Sequence, residues 1–170
     1  GSTLGEYADL ARGLCRAPGV AGLEVNLGAP DSDESQLLAV REPHHAASVV
    51  AAVRREFPVD RPLLAKLRRD VTRVAEGARA CHEAGASAVV LGGAVPAALP
   101  DGRAGGLSGP ALAPLTQRCL LEASAGAPHV PLIACGGIND SASARAMFAA
   151  GAVAVQLGTA VLQDPTTVAR

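Results

Sequence analysis

The stretch Val130-Pro-Leu-Ile-Ala-Cys-Gly-Gly-Ile-Asn-Asp-Ser-Ala142 decides the fold of this chain. It begins as a short apolar run, passes through two glycines and continues into Asn139, Asp140 and Ser141, residue types that favour the start of a helix. An apolar run that ends in glycines and leads into a helix is typical of a βα unit in a parallel sheet.

The same pattern recurs along the chain. Five short apolar runs alternate with longer segments of helical periodicity, and their Val, Ile and Leu content indicates strands that are covered on both faces. The predicted strands are 22–27, 62–67, 87–91, 130–135 and 152–157. The predicted helices are 4–16, 42–57, 71–84, 108–125 and 139–149. The pattern predicts an α/β fold of βα units around a parallel sheet, with no second domain. We interpret Gly1-Ser2 as the remnant of a cleaved tag.

Composition narrows the class of function. The chain has 170 residues, of which 49% are hydrophobic, and a formal net charge of −1, which does not favour binding to nucleic acid. It contains neither an apolar run of about 18 residues that could span a membrane nor a signal pattern, so we expect a cytoplasmic protein. The four cysteines lack metal-site spacing, and we expect buried free thiols and no metal.

Two glycine turns are candidate phosphate sites. Gly136 and Gly137 follow the fourth apolar run, and Gly158 with Thr159 follows the fifth. Backbone N–H groups at a strand-to-helix turn can bind an anion, and barrels of this class frequently bind phosphate after their last two strands. The alternative is that both are tight turns with a structural role only.

Three motifs together resemble the dihydroorotate dehydrogenase family. They are Gly106-Leu-Ser-Gly-Pro-Ala-Leu112, Cys135-Gly-Gly-Ile138 and Val155-Gln-Leu-Gly-Thr-Ala160, and the similarity extends to Glu24-Val-Asn-Leu27 and Leu64-Ala-Lys-Leu67. The resemblance implies a (β/α) barrel that binds FMN and oxidises dihydroorotate to orotate. The five predicted strands would correspond to the fourth to eighth strands of that barrel, so the resemblance implies a (β/α) TIM-barrel-like fold in which residues 3–170 form a single partial barrel domain.

The resemblance also implies roles for individual residues. Lys66 would reach the flavin ring, and Asn26 would contact the substrate. The FMN phosphate and ribityl chain would be contacted by Gly109, Gly136, Gly137, Gly158 and Thr159. The residue chemistry independently favours an anion near Lys66, because a lysine at the end of an apolar strand is costly unless it meets an anion or solvent. The alternative is a solvated lysine.

Two departures from the family pattern concern the substrate. The position of the family's catalytic Cys or Ser is occupied by Ala29, which cannot remove a proton, and an Asn-Thr pair that binds substrate aligns with Gly92-Gly93. We therefore expect an oxidoreductase that acts on a small molecule other than dihydroorotate.

Five strands leave two sheet edges open. We expect a homo-oligomer or a partner chain that completes the barrel, and one alternative is a non-catalytic barrel fragment that serves such assembly. A further alternative is another phosphate-binding βα barrel enzyme that uses a sugar phosphate or nucleotide.

Overall fold

The computed structural model of the chain describes residues 3–28 and 42–169, so Ala29 lies outside the described residues. Each of the five apolar runs forms a strand, which confirms the five predicted strands to within two residues at either end. The strands, in chain order, are β1 (Leu23–Asn26), β2 (Leu63–Leu67), β3 (Ala88–Gly92), β4 (Val95–Ala98), β5 (Ala104–Leu107), β6 (Leu132–Cys135) and β7 (Ala152–Gln156).

Five strands form one parallel sheet in the order β1-β2-β3-β6-β7. The other two, β4 and β5, form an antiparallel hairpin between β3 and the next helix. The sequence prediction missed this hairpin because its strands contain proline and glycine, which weaken the periodic signal of a strand.

The helices follow the predicted alternation. They are α1 (Leu4–Cys15), α2 (Pro43–Glu56), α3 (Val74–Glu83), α4 (Ala113–Gly126), α5 (Ser141–Ala149) and α6 (Thr159–Gln163). Short 3₁₀ turns precede α4 at Pro110–Leu112 and follow α6 at Pro165–Ala169. The predicted start of α4 at residue 108 is therefore wrong, because the α-helix begins only at Ala113, after the 3₁₀ turn. The first five helices pack in succession, each against the next. Among the described residues, no helix is long and apolar enough to cross a membrane.

The predicted start of α3 at residue 71 is wrong. The helix begins at Val74, because the Asp70 carboxylate accepts hydrogen bonds from the backbone N–H and the hydroxyl of Thr72 and so stabilises a turn before the helix. The sequence prediction mistook this turn for the first turn of the helix, since Val71 shares the apolar spacing of the helical residues that follow.

The two faces of the sheet have different surroundings. Alternate β2 residues, including Leu63 and Ala65, join the helices in the main hydrophobic core. On the other face, Leu64 packs with Val90 and Ile133 in a smaller cluster. We call this second face the inner face, because in a barrel it would line the interior.

The sheet is strongly curved. The Nε2 atom of Gln156 in β7 lies 2.5 Å from Oε2 of Glu24 in β1, although three strands separate β1 from β7 in the sheet. Side chains at the two edges can meet across the inner face only if the sheet bends toward itself. Curvature of this kind is what a segment of a closed barrel requires.

Candidate functional site

The two glycine turns lie at the same edge of the sheet. Because β6 and β7 are parallel neighbours, Gly136 and Gly158 follow their carboxyl ends side by side. Gly136 and Gly137 have φ angles of 110° and 82°, a conformation that L residues rarely adopt. Within the described residues, no hydrogen bond occupies the N–H groups of Gly136, Gly137 and Gly158. These groups can donate to a ligand.

One pocket brings the predicted contact residues together. We call it the mouth pocket; it has a volume of about 170 Å³. The predicted residues that line it are Gly109, Gly136, Gly137, Gly158 and Thr159. The side chain of Thr159 donates to the Ser108 hydroxyl at 2.9 Å, so two further hydroxyl groups border the same space. Motifs that are separated by tens of residues in sequence therefore form one wall.

The glycines of the mouth pocket differ in the space that surrounds them. A Cβ at position 137 would overlap the backbone of Ala113, and one at position 136 would overlap the guanidinium of Arg69. At Gly158, by contrast, a Cβ would have nothing within 4 Å. The backbone is thus tightly packed at Gly136 and Gly137 and has open space at Gly158.

The size of the mouth pocket fits part of a nucleotide. Pockets that hold an entire ligand of moderate size measure about 300–1,000 Å³. At about 170 Å³, the mouth pocket can take a phosphate group and the adjoining part of a ribityl chain. The residues present therefore fit the phosphate end of FMN.

Lys66 lies on the inner face with two polar partners. Its ammonium group donates to Oε1 of Glu24 and to Oε1 of Gln156, both at 2.9 Å. Only 17% of the Lys66 side chain is exposed. The alternative of a fully solvated lysine is therefore wrong. Gln156 also lines the mouth pocket, which places Lys66 one side chain away from the glycine wall.

Asn26 stands beside Lys66 in the register of β1 and β2. Its side-chain oxygen accepts a hydrogen bond from the N–H of Gly28 at 3.1 Å. This bond fixes the local turn at the end of β1 and holds the asparagine at the carboxyl edge of the sheet. Its contact with a substrate stays a prediction.

The family model described as dihydroorotate dehydrogenase matches residues 1–170. This chain belongs to the dihydroorotate dehydrogenase family. Among curated relatives, the chain is 41% identical over 175 residues to the dihydroorotate dehydrogenase B (NAD(+)) catalytic subunit of Geotalea daltonii, covering 98% of this chain and 56% of that protein. The corresponding subunit of Geobacter sulfurreducens is 37% identical, covering 100% of this chain and 58% of that protein.

Solved structures support the fold of this dihydroorotate dehydrogenase family member. The structure of the Eimeria tenella enzyme in complex with ferulenol matches with a TM-score of 0.79 at 21% identity, covering 96% of this chain and 51% of that one. The ligand-free enzyme from the same organism gives a TM-score of 0.76 at 21% identity, covering 96% and 53%. The chain thus spans about half the length of its relatives, and the predicted partial (β/α) barrel is confirmed.

Sequence reasoning missed three residues at this dihydroorotate dehydrogenase-like site. Ser108 and Gln156 border the mouth pocket, and both lie within the recognised motifs, which could have pointed to them. Arg69 had no such signal. Its guanidinium donates to Thr116 Oγ1 at 3.1 Å, to the carbonyl oxygen of Cys135 at 2.7 Å and to the carbonyl oxygen of Gly93.

Gly92 has a packing role that the alignment with an Asn-Thr pair does not suggest. A Cβ at this position would overlap the carbonyl oxygen of Cys135 in the neighbouring strand, whereas the adjacent Gly93 has a φ of 114° and open space around it. The close approach of β3 to β6 therefore excludes a side chain at position 92 in this backbone.

Proposed function

We propose that this chain binds FMN at the carboxyl edge of its sheet and belongs to a flavoprotein oxidoreductase that acts on a small molecule. The observation that carries the proposal is the convergence of Gly136, Gly137 and Gly158, whose N–H groups bond to no other described residue, on one pocket sized for a phosphate. Membership of the dihydroorotate dehydrogenase family supports it.

Different residues of the chain would bind different parts of FMN. Backbone N–H groups of the two glycine turns would donate to the phosphate, and the hydroxyls of Ser108 and Thr159 would bind phosphate or ribityl oxygens. Lys66 would place a positive charge at the flavin ring, with Glu24 and Gln156 fixing its position. FMN, when bound, supplies the hydride chemistry, and the protein supplies placement and electrostatics.

We further propose that the substrate is not dihydroorotate, although the curated relatives carry that name. The argument rests on two places in the chain. Alanine at position 29 has no group that could accept a proton. Gly92 and Gly93 offer no side-chain hydrogen bonds, and packing against Cys135 leaves no room for one at position 92.

A titration of FMN into the purified chain tests cofactor binding, with quenching of flavin fluorescence as the signal. The informative variant is Gly158→Ala, because Gly158 lines the mouth pocket and the added methyl group would meet no protein atom within 4 Å, so any loss of affinity would not come from a clash within the protein. We expect FMN affinity to fall about 10-fold or more, which corresponds to the loss of one charge-assisted hydrogen bond. The matched control is Gly13→Ala in α1, which also has open space and should leave affinity unchanged.

A wild-type chain that ignores FMN, or a Gly158→Ala variant that binds it normally, would contradict the proposed site. The substrate claim has a separate test. We expect anaerobic dihydroorotate to leave the absorbance of the FMN-loaded protein unchanged, and bleaching of the flavin band would show that dihydroorotate is a substrate after all.

A second candidate function is assembly without catalysis. The supporting observation is that Leu4, Leu10 and Leu14 of α1 are each at least 41% exposed, while β1 and β7 each pair on one side only within the described residues. The name "catalytic subunit" among the relatives also favours a partner chain. Size-exclusion chromatography with light scattering tests this proposal, and a stable, monodisperse monomer would contradict it.

A further inference from the structure

Arg69 lies behind the turn that joins β6 to α5. Its guanidinium packs against Gly136, where an added Cβ would overlap it, and Arg69 stands outside the residues that line the mouth pocket. It donates to the carbonyl oxygen of Cys135 at 2.7 Å, to Thr116 Oγ1 at 3.1 Å and to the carbonyl oxygen of Gly93. One side chain therefore joins the ends of β3 and β6 to the first turn of α4.

Two carbonyl groups behind this turn belong to the peptide groups that carry the N–H donors of Gly136 and Gly137. The Cys135 carbonyl shares a peptide group with the N–H of Gly136, and the Gly136 carbonyl shares the next one with the N–H of Gly137. Arg69 donates directly to the Cys135 carbonyl oxygen. It acts on the second carbonyl through Thr116, whose hydroxyl accepts from Arg69 and donates to the Gly136 carbonyl oxygen at 3.0 Å.

The geometry of a peptide group links its two ends. In a trans peptide group the C=O and the N–H point in opposite directions, so a carbonyl that is held toward Arg69 turns the N–H of the same group away from it. Both glycines line the mouth pocket, and within the described residues no hydrogen bond occupies their N–H groups. The two donors are therefore available to a ligand in that pocket.

The guanidinium charge also strengthens these donors. A carbonyl that accepts from a charged donor polarises its peptide group, so the N–H at the other end becomes a better donor. Burial lowers the pKa of the Arg69 guanidinium, yet an arginine side chain keeps its proton at neutral pH. The positive charge acts on an anion in the pocket through the peptide groups, without facing the pocket itself.

We propose that Arg69 is a positioning residue for the FMN phosphate and acts through Thr116 and the β6–α5 turn. It fixes the orientation of the Gly136 and Gly137 N–H groups and strengthens both as donors. This inference rests on the proposed function, because it assumes that these groups bind the phosphate. Arg69 should therefore affect the phosphate of the ligand and neither its ring nor its ribityl chain.

FMN and riboflavin form the probe pair, because they differ only by the phosphate. Binding of both to the full chain would be followed by quenching of flavin fluorescence, for the wild type and for Arg69→Gln. The variant should lose about 10-fold in FMN affinity, because two charge-assisted hydrogen bonds become weaker, and should bind riboflavin as before. Arg69→Lys keeps the charge without the planar fork, so it should give an intermediate FMN affinity, and it serves if Arg69→Gln does not fold.

Variants of Thr116 test the indirect path. The Thr116 hydroxyl has one proton, which it shares between the carbonyl oxygens of Gly136 and Leu112, so Thr116→Val should reduce FMN affinity by only about 3-fold. Thr116→Ser keeps the hydroxyl and should restore the affinity. In the ligand-free chain with isotope-labelled glycine, the amide NMR signals of Gly136 and Gly137 should move in Arg69→Gln, whereas the signal of Gly158 should stay.

The matched control is Arg54→Gln. Arg54 is also partly buried and donates to backbone carbonyls, including those of Gly85, Pro58 and Arg61, and burial lowers its pKa too. These acceptors precede β3 and β2, at the opposite edge of the sheet. Loss of Arg54 should reduce stability without changing the ratio of the FMN affinity to the riboflavin affinity.

The outcomes separate this inference from the proposed function. Equal losses of affinity for FMN and riboflavin in Arg69→Gln, or no loss for either, overturn the role of Arg69 and leave flavin binding intact. A wild-type chain that ignores FMN contradicts the proposed function, and a titration with inorganic phosphate then decides on Arg69. Phosphate binding that Arg69→Gln weakens supports the inference. Phosphate binding that the variant leaves unchanged, or no phosphate binding at all, overturns it.

Discussion

Replacing Gly137 by alanine should destabilise the chain through a clash that can be separated from backbone strain. The φ of Gly137 is 82°, and a Cβ there would overlap the backbone N and Cα of Ala113 and lie 2.8 Å from its Cβ. Gly102, at the tip of the β4–β5 hairpin, has a nearly identical φ of 84° with nothing within 4 Å of its Cβ position. The two alanine variants therefore share the strain and differ in the clash.

The expected magnitudes follow from these two terms. A left-handed backbone costs an L residue about 1–2 kcal/mol, which is the full expected loss for Gly102→Ala. Gly137→Ala adds overpacking against the first residue of α4, typically about 1–3 kcal/mol, because backbone atoms cannot turn aside as a side chain can. The total is about 2–5 kcal/mol, and at about 2–4 °C per kcal/mol for a chain of this size it lowers Tm by about 4–20 °C. Any stiffening of the unfolded chain by alanine is common to both variants.

Urea unfolding followed by far-UV circular dichroism measures both losses directly. Equal losses of free energy of unfolding in Gly137→Ala and Gly102→Ala would show that the β6–α5 turn does not approach α4 closely. The tight packing of Gly137 against Ala113 beside the mouth pocket would then be wrong. FMN titration of the two variants gives an independent readout. Only Gly137→Ala should reduce affinity.

Three further predictions concern other parts of the chain. The double variant Glu24→Gln/Lys66→Met should lose less free energy of unfolding than the sum of the losses of the two single variants, with a coupling energy of about 1 kcal/mol in a double-mutant cycle. Additive losses would mean that this ion pair on the inner face does not contribute to stability. Asp140→Ala should lower Tm at pH 7, because hydrogen bonds from Ser143 at the start of α5 lower the pKa of Asp140. The stabilisation is complete above the pKa of Asp140 in the unfolded chain, about 4, and is lost as the pH falls through the lower pKa of the folded chain. The difference in Tm between Asp140→Ala and the wild type should therefore become smaller in acid. A difference that does not change with pH would contradict the capping role of Asp140. Burial raises the pKa of the Cys81 thiol to about 12 and also raises the pKa of the Cys119 thiol. Both thiols should therefore resist a disulfide reagent at pH 8 until urea is added. Rapid labelling of either cysteine in the native chain would contradict its burial.

The strands and helices were predictable because their signals are local. Apolar runs bounded by glycine specify buried strands, and Asp140 with Ser143 forms the capping box that begins α5. The prediction failed where local signals mislead. Residues 71–73 carry helical spacing but form a turn around Asp70, and the strands of the β4–β5 hairpin contain the proline and glycine that usually mark loops.

The contact residues of the mouth pocket were predictable for a different reason. Gly136 and Gly158 each follow a strand, and parallel neighbours place their carboxyl ends at one edge. The identity of the residues and the order of the strands therefore suffice to bring the turns together. What the sequence could not provide is the rear packing against Ala113 and Arg69, which depends on where α4 begins and how the β2–α3 loop folds back.

The sequence by itself determined the alternation of strands and helices, the glycine turns and the membership of the family, because each depends on neighbouring residues or on a short motif. Tertiary structure alone decided that Glu24, Lys66 and Gln156 share one network, since residues 132 positions apart meet only when the sheet curves. It also decided that Arg69 packs behind the Gly136 turn, where its guanidinium donates to the hydroxyl of Thr116 and to the carbonyl oxygen of Cys135. No local pattern encodes either result, because charge pairing across a sheet depends on strand order and curvature.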